Sequence, residues 1–420
     1  MIGGGIRAQP GESHGMTRDE KMVVALTGCS HALTHGYLLI FPAVLLLLKE
    51  EFSMGYLGLG AISNIMSFSY GLGALPAGMI YNRFGPKKLY LFCFLGSAGA
   101  SLLVAASPNV VLFTAGLALL GALGSIYHPM ANSLITSKVK EFGRALGIHG
   151  AAGNIGLAAA PFIAGLIASR WGWRYAYLSF MVPGIALSIW SLFIDMSMQK
   201  EKKADRSQAS LQPDPASKTE NFWIFFFLPL PLIYLLNILQ SFSFHGATTF
   251  LPTYMAQNTS FQILSLDSLA LGGMLSGLAL FMGVFGQYMG GILGQKPHLE
   301  RNILIISSAG FPFILGMSFV RDFSLLIMAL VFFFFNFAIQ PMMSVLLARS
   351  TTLEMRGTAF GIYFFAAFGI GSLAASFSGY VAQRFGLPWV FLGLSGSVLV
   401  SIFFTFILLK LKSRAGLSKI

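Results

Sequence analysis

Five histidines fall inside apolar segments of this 420-residue chain: His31, His35, His128, His149 and His245. Histidine is the side chain whose unperturbed pKa, near 6.5, lets it take up and release a proton around neutrality. An ionisable group in an apolar segment is costly and points to function by default. His31 and His35 are four residues apart, so on a helix they lie one turn apart on the same face. His35-Gly36 stands seven residues before Pro42, and the same spacing returns 210 residues later as His245-Gly246 before Pro252. All fifteen acidic residues lie in tails, loops or segment ends, and so does every Lys and Arg. Histidine is therefore the only strongly titratable side chain expected at depth. A site for a lipophilic cation would want a buried carboxylate, and one for a strong dianion a buried Arg or Lys. The sequence places neither.

Three readings of these residues stay open. In the first, His35 and His245, with His31 and His128, bind a solute and carry protons. In the second, the paired imidazoles of His31 and His35 ligate a transition metal. In the third, each ring ties one helix to a neighbour's carbonyl. The recurrence of His35 at His245 favours the first. The lack of an acidic or cysteine partner at the same depth weighs against the second, so no metal ligands and no cofactor are assigned. For His149 a structural role is expected. Other polar candidates for a central site are Tyr37, Tyr127, Asn154, Gln240 and Gln340.

These residues must be held by membrane helices. The chain is 55% hydrophobic and 10% charged, with mean hydropathy +0.73, whereas soluble proteins carry about 25% charged residues. About 20 apolar residues span a bilayer, and twelve such segments lie between residues 22 and 411. The expected layout is a tail (1–21), a six-helix bundle (22–195), a polar linker (196–221), a second six-helix bundle (222–411) and a tail (412–420). Placing both termini in the cytoplasm puts 22 of the 27 Lys and Arg on that side, as the positive-inside rule requires. Loop topology thus accounts for the net charge of +12 and nucleic acid is not an expected partner. The two cysteines, Cys29 and Cys93, offer no disulfide framework or metal knuckle. No Gly-rich phosphate loop of the G-x-x-x-x-G-K-[ST] kind occurs, so no nucleotide hydrolysis or other enzyme activity is expected.

The two bundles repeat. Gly147-Ile148 falls on Gly361-Ile362, Gly165 on Gly379, Arg170 on Arg384 and Gly172 on Gly386 at one constant shift. Tyr127-His128-Pro129-Met130 meets Ile339-Gln340-Pro341-Met342 at a shift two residues smaller. Six helices per unit make the repeat parallel, and transporters built this way bind solute near the midplane between the halves.

The loop after the second segment reads Gly78-Met-Ile-Tyr-Asn82-Arg83-Phe-Gly85-Pro86-Lys87-Lys88. It resembles the loop 2–3 signature of the major facilitator superfamily, G-x-L-x-D-R-x-G-R-[RK], with Asn82 where the family has Asp. The resemblance implies a gating role for Gly78, Asn82, Arg83, Gly85, Lys87 and Lys88, although position 82 carries no charge. The fifth segment carries Gly153, Gly156, Pro161 and Gly165. This is similar to the antiporter-type pattern, with Ala160 where a Gly usually precedes Pro161; it also fits close helix packing by small residues. Ser125-Ile-Tyr-His128-Pro129, Gly143-Arg144-Ala-Leu-Gly147 and Gly153-Asn154-Ile-Gly156 resemble the fosmidomycin-resistance branch, though the first segment lacks the His-x-x-Asn-Asp expected there. The resemblance implies an all-α, twelve-helix fold and secondary transport of a small organic solute, an anion among the candidates, by proton-coupled export. Monocarboxylate-type uptake by symport or exchange is the alternative, and a transporter-like receptor without flux a further one. The expected setting is the bacterial inner membrane, the partners solute, protons and lipid, and the expected state a monomer.

Overall fold

The computed structural model describes residues 16–196, 229–351 and 353–414. The linker expected at 196–221 and the two tails lie almost wholly outside them. Among the described residues all regular structure is helical. The first half comprises α1 (Arg18–Glu51), α2 (Tyr56–Phe84), α3 (Pro86–Ala105), α4 (Val110–Gly124), α5 (Tyr127–Lys138), α6 (Phe142–Trp171) and α7 (Trp173–Leu192). The second comprises α8 (Pro229–Asn258), α9 (Ser268–Gln295), α10 (Leu299–Gly316), α11 (Asp322–Arg349), α12 (Leu353–Phe364), a π-helical segment (Phe365–Ile370), α13 (Leu373–Phe385) and α14 (Leu387–Arg414). Counting α4 with α5, and α12 with α13, as single crossings gives the twelve-helix bundle. Among the described residues, nine of these crossings are long and apolar enough to span a membrane by length and composition.

Local chemistry sets the boundaries. Thr17 and Glu20 form a capping box at the start of α1. Glu20 also accepts a hydrogen bond from the Lys140 amide at 2.7 Å, tying α1 to the α5–α6 connection. Asn109 and Asp267 cap α4 and α9. The break between α4 and α5 follows from Pro129, which cannot donate to the carbonyl four residues back and crowds it. That carbonyl belongs to Ser125, where the helix parts. The expected continuous fourth helix is thus two helices. Gly172 (φ 91°) and Gly386 (φ 97°) make the matching tight turns of the two halves, in a conformation that favours glycine.

In a bilayer, helices associate by close packing rather than by hydrophobic burial. The two halves meet most closely at the end of the bundle away from the termini. A Cβ on Gly60 would lie 2.2 Å from the Ala375 carbonyl oxygen, and one on Gly379 would lie 2.3 Å from that of Tyr56. Gly273 and Gly277 sit as tightly on the carbonyls of Pro161 and Ala158. The Leu57 amide donates to Gln383 at 3.0 Å, Asn64 donates to Ser372 at 2.8 Å, and Ser63 bonds Thr249 at 3.2 Å. Toward the terminal end the packing loosens: Gly147, Gly150, Gly291 and Gly361 all face open space. The halves therefore close at one end and part toward the other.

Candidate functional site

Four of the five histidines gather inside the first half. α1 presents His31 and His35, α5 presents His128 and α6 presents His149. His31 is the centre. Its Nδ1 lies 2.8 Å from the His149 carbonyl oxygen. A carbonyl only accepts, so Nδ1 of the neutral ring carries the hydrogen and Nε2 is a bare lone pair. That Nε2 lies 3.0 Å from Nε2 of His35 and 3.1 Å from Nε2 of His128. Tyr70 on α2 completes the row, its hydroxyl 2.6 Å from Nδ1 of His128. The His149 ring stacks on His31 at 4.2 Å and 17°.

Glycine permits this convergence. A Cβ on Gly153 would lie 2.4 Å from the His31 ring, and one on Gly156 would lie 2.2 Å from the Ala32 Cα. Gly165 faces the Leu269 carbonyl of the other half at 3.2 Å, and the Pro161 carbonyl faces Gly273. Of the small-residue series in α6, Gly153 and Gly156 thus face α1, while Pro161 and Gly165 face α9.

The residue next to Gly153 begins a second polar row, which crosses between the halves. Asn154 donates to Gln287 of α9 at 2.6 Å, and Gln287 donates to Gln340 of α11 at 3.2 Å. The row lies between the tight carbonyl contacts of Gly273 and Gly277 and the open faces of Gly150 and Gly291. It marks the level where the closed interface gives way to the cleft.

His245 on α8 stands apart from the histidine group. Its ring meets Phe244 at 5.6 Å and Phe368 at 5.2 Å. Phe368, in the π-helical segment, packs on Tyr70 at 4.7 Å. It therefore stands between His245 and the Tyr70–His128 bond. Three other candidates direct their polar atoms to backbone within one half. Tyr37 donates to the Phe180 carbonyl at 3.0 Å, Gln240 to that of Asn336 at 3.0 Å, and Tyr127 to that of Thr27. In the loop 2–3 motif, Gly85 (φ 75°) makes the turn. Lys87 donates to the Leu192 carbonyl at 2.7 Å and Arg83 lies over the Phe84 ring. Lys88 is exposed at the start of α3. The side chains of residues 77–82, Asn82 among them, lie outside what the structure describes.

Tyr70, Gln287 and Phe368 were not legible as site residues. Gln287 carried the best signal, an amide inside a long apolar stretch. Among the described residues, His31, His35 and His128 form the one group of His, Cys, Asp or Glu side chains compact enough to hold a metal ion, with ligand atoms within 4.8 Å of one another.

A parallel pair of helical halves, closed at one end and lined by polar rows at mid-depth, is a transporter architecture. The Major Facilitator Superfamily model matches residues 25–376. The chain belongs to this superfamily of membrane transporters. It is 25% identical over 390 residues to a "Probable sulfoacetate transporter" of Cupriavidus necator, covering 85% of this chain and 87% of that one. It is 24% identical over 366 residues to a "Probable L-galactonate transporter" of Escherichia coli, covering 80% and 78%. The fold is similar to that of a bacterial homolog of the human lysosomal transporter Spinster, with a TM-score of 0.76 at 14% identity over 94% of this chain and 97% of that one. The superfamily member described here is thus a multi-pass membrane protein that handles a small molecule.

Proposed function

We propose that this transporter exports a small organic anion in exchange for protons, as a monomer with both termini in the cytoplasm of a bacterial cell. The observation that carries the reading is the meeting of two polar rows at the apex of the cleft. The carboxamides of Asn154, Gln287 and Gln340 can take carboxylate or hydroxyl oxygens, and the histidine group lies beside them, against Gly153. Rocking of the halves about this level would break the Asn154–Gln287 bond on one side and remake the contacts on the other. His245, separated from the histidine group by Phe368, is assigned the exchanged proton. Several features support the reading. The sequence places no carboxylate, Lys or Arg at mid-depth. The two relatives above are named for organic acids. The stretch 125–165 resembles the export branch built around fosmidomycin resistance. The Lys and Arg distribution supports the orientation.

The test is flux in proteoliposomes with an imposed pH gradient, using sulfoacetate and galactonate as probes. Gradient-driven flux that loses its pH dependence in His245→Ala is the expected result. Flux indifferent to the gradient, and unchanged in His35→Ala and His245→Ala, would end the proton-exchange reading. Saturable binding without flux would point to a receptor instead.

A further inference from the structure

We propose that His31, His35 and His128 form a resident site for one divalent late first-row transition-metal ion, ligated through three imidazole Nε2 atoms. The first support is the number and direction of the donors. Two come from one turn of α1 and the third from α5, and both short Nε2 contacts, 3.0 and 3.1 Å, converge on His31. Nitrogens about 2.05 Å from a tetrahedral zinc ion stand about 3.4 Å apart; the two contacts on His31 need to open by only about 0.3 Å, and all three ligand atoms already lie within 4.8 Å of one another. An all-imidazole set suits Zn²⁺, Ni²⁺, Cu²⁺ or Co²⁺ over Mg²⁺ or Ca²⁺, which want oxygen.

The second support is the layer behind the ligands. A metal-binding histidine usually gives its other N–H to a carbonyl or other acceptor, which fixes the tautomer and the ring. His31 does so already, with Nδ1–H on the His149 carbonyl. His128 has the Tyr70 oxygen at 2.6 Å from Nδ1. With Nε2 on a metal, His128 would donate its Nδ1 hydrogen to that oxygen. The stacked His149 ring closes one side.

The third support is location. All three ligands, and both groups behind them, belong to the first half. A site between the halves would be made and broken in each transport cycle, whereas this one can stay intact while they move. That makes the ion a fixture rather than cargo. Three protein ligands leave a fourth position for water or an anion. The assignment does not depend on which solute is carried or on the direction of transport.

The experiment is Zn²⁺ binding to the purified full chain, made without a histidine tag and with the exposed His298 changed to Ala. Metal content after dialysis and chelator competition give stoichiometry and affinity. One Zn²⁺ per chain is expected, with Co²⁺ giving the intense visible bands of a four-coordinate site. His128→Gln should abolish the one-to-one complex. Tyr70→Phe, which keeps the ligands and the ring, should weaken it by about 10-fold to 100-fold. His245→Ala should leave it unchanged. The proposal is overturned if the parent chain retains no Zn²⁺, or if His128→Gln and His35→Ala bind it as the parent does. Should a variant fail to fold, the Co²⁺ spectrum of the parent chain still separates a four-coordinate site from none.

Discussion

His35 and His245 occupy matching places in the repeat but have different neighbours. Around His35 the structure gathers His31, His128 and His149. The corresponding positions of the second half are Ser241, Gln340 and Tyr363. One half therefore holds a connected imidazole group, and the other holds a single imidazole edged by Phe244 and Phe368. The scaffold is duplicated, while the polar equipment is not. Symmetry in such a fold fixes where side chains point and leaves each half free to carry different chemistry.

Four substitutions can break or sharpen that contrast. The largest effect is expected from His31→Ala, which strips the His149 carbonyl of its donor and leaves His35 and His128 without their shared neighbour. An unmade buried hydrogen bond costs about 1–3 kcal/mol, so solute affinity should fall by roughly 5-fold to 150-fold in equilibrium binding. His245→Ala should leave that affinity within about threefold and act on the pH dependence of flux; equal losses of affinity in the two variants would refute the asymmetry. Next comes Gly60→Ala, whose Cβ meets the Ala375 carbonyl at the closed end. Overpacking there costs about 1–3 kcal/mol. It should raise the labelling of a cysteine introduced at Gln383, and unchanged labelling would mean that this contact does not hold the end shut. The smallest is Gln287→Ala, which removes two amide bonds of about 1 kcal/mol each. A shift in solute affinity of at most about 30-fold is expected; none at all would remove the carboxamide row from the site.

The fold was legible because its signals are long. Apolar segments and a repeat matching at Gly147, Gly165 and Gly172 each draw on many residues. The site was legible in part. His31 and His35 announced themselves by spacing, and His128 by its place before Pro129. Their convergence depends on how α5 and α6 lie against α1, and spacing along the chain does not encode that. Repeat matching suggested that His35 and His245 form a pair, and no element of the sequence indicated that Phe368 stands between His245 and the Tyr70–His128 bond. Tyr70 looked like any of the chain's 13 tyrosines. His149, expected to be structural, lends its carbonyl to His31, a backbone role invisible in side-chain type.

The π-helical segment breaks the duplication inside a helix. Residues 147–165 and 361–379 match without a gap, yet the first stretch lies in a single α-helix and the second contains Phe365–Ile370, where the Gly371 amide reaches back five residues to Ala366 at 2.8 Å. Equal numbers of residues are therefore wound through unequal numbers of turns, each residue of an α-helix turning the chain by about 100°. Both flanks are anchored on α2: Phe365 meets Phe68 at 6.1 Å, and Gly379 lies on the Tyr56 carbonyl. The missing winding is held between fixed points, with the Gly371-Ser372 turn absorbing the difference. Phe368 sits in this under-wound stretch, so the barrier between the two histidine environments is set by backbone torsion as well as by a side chain.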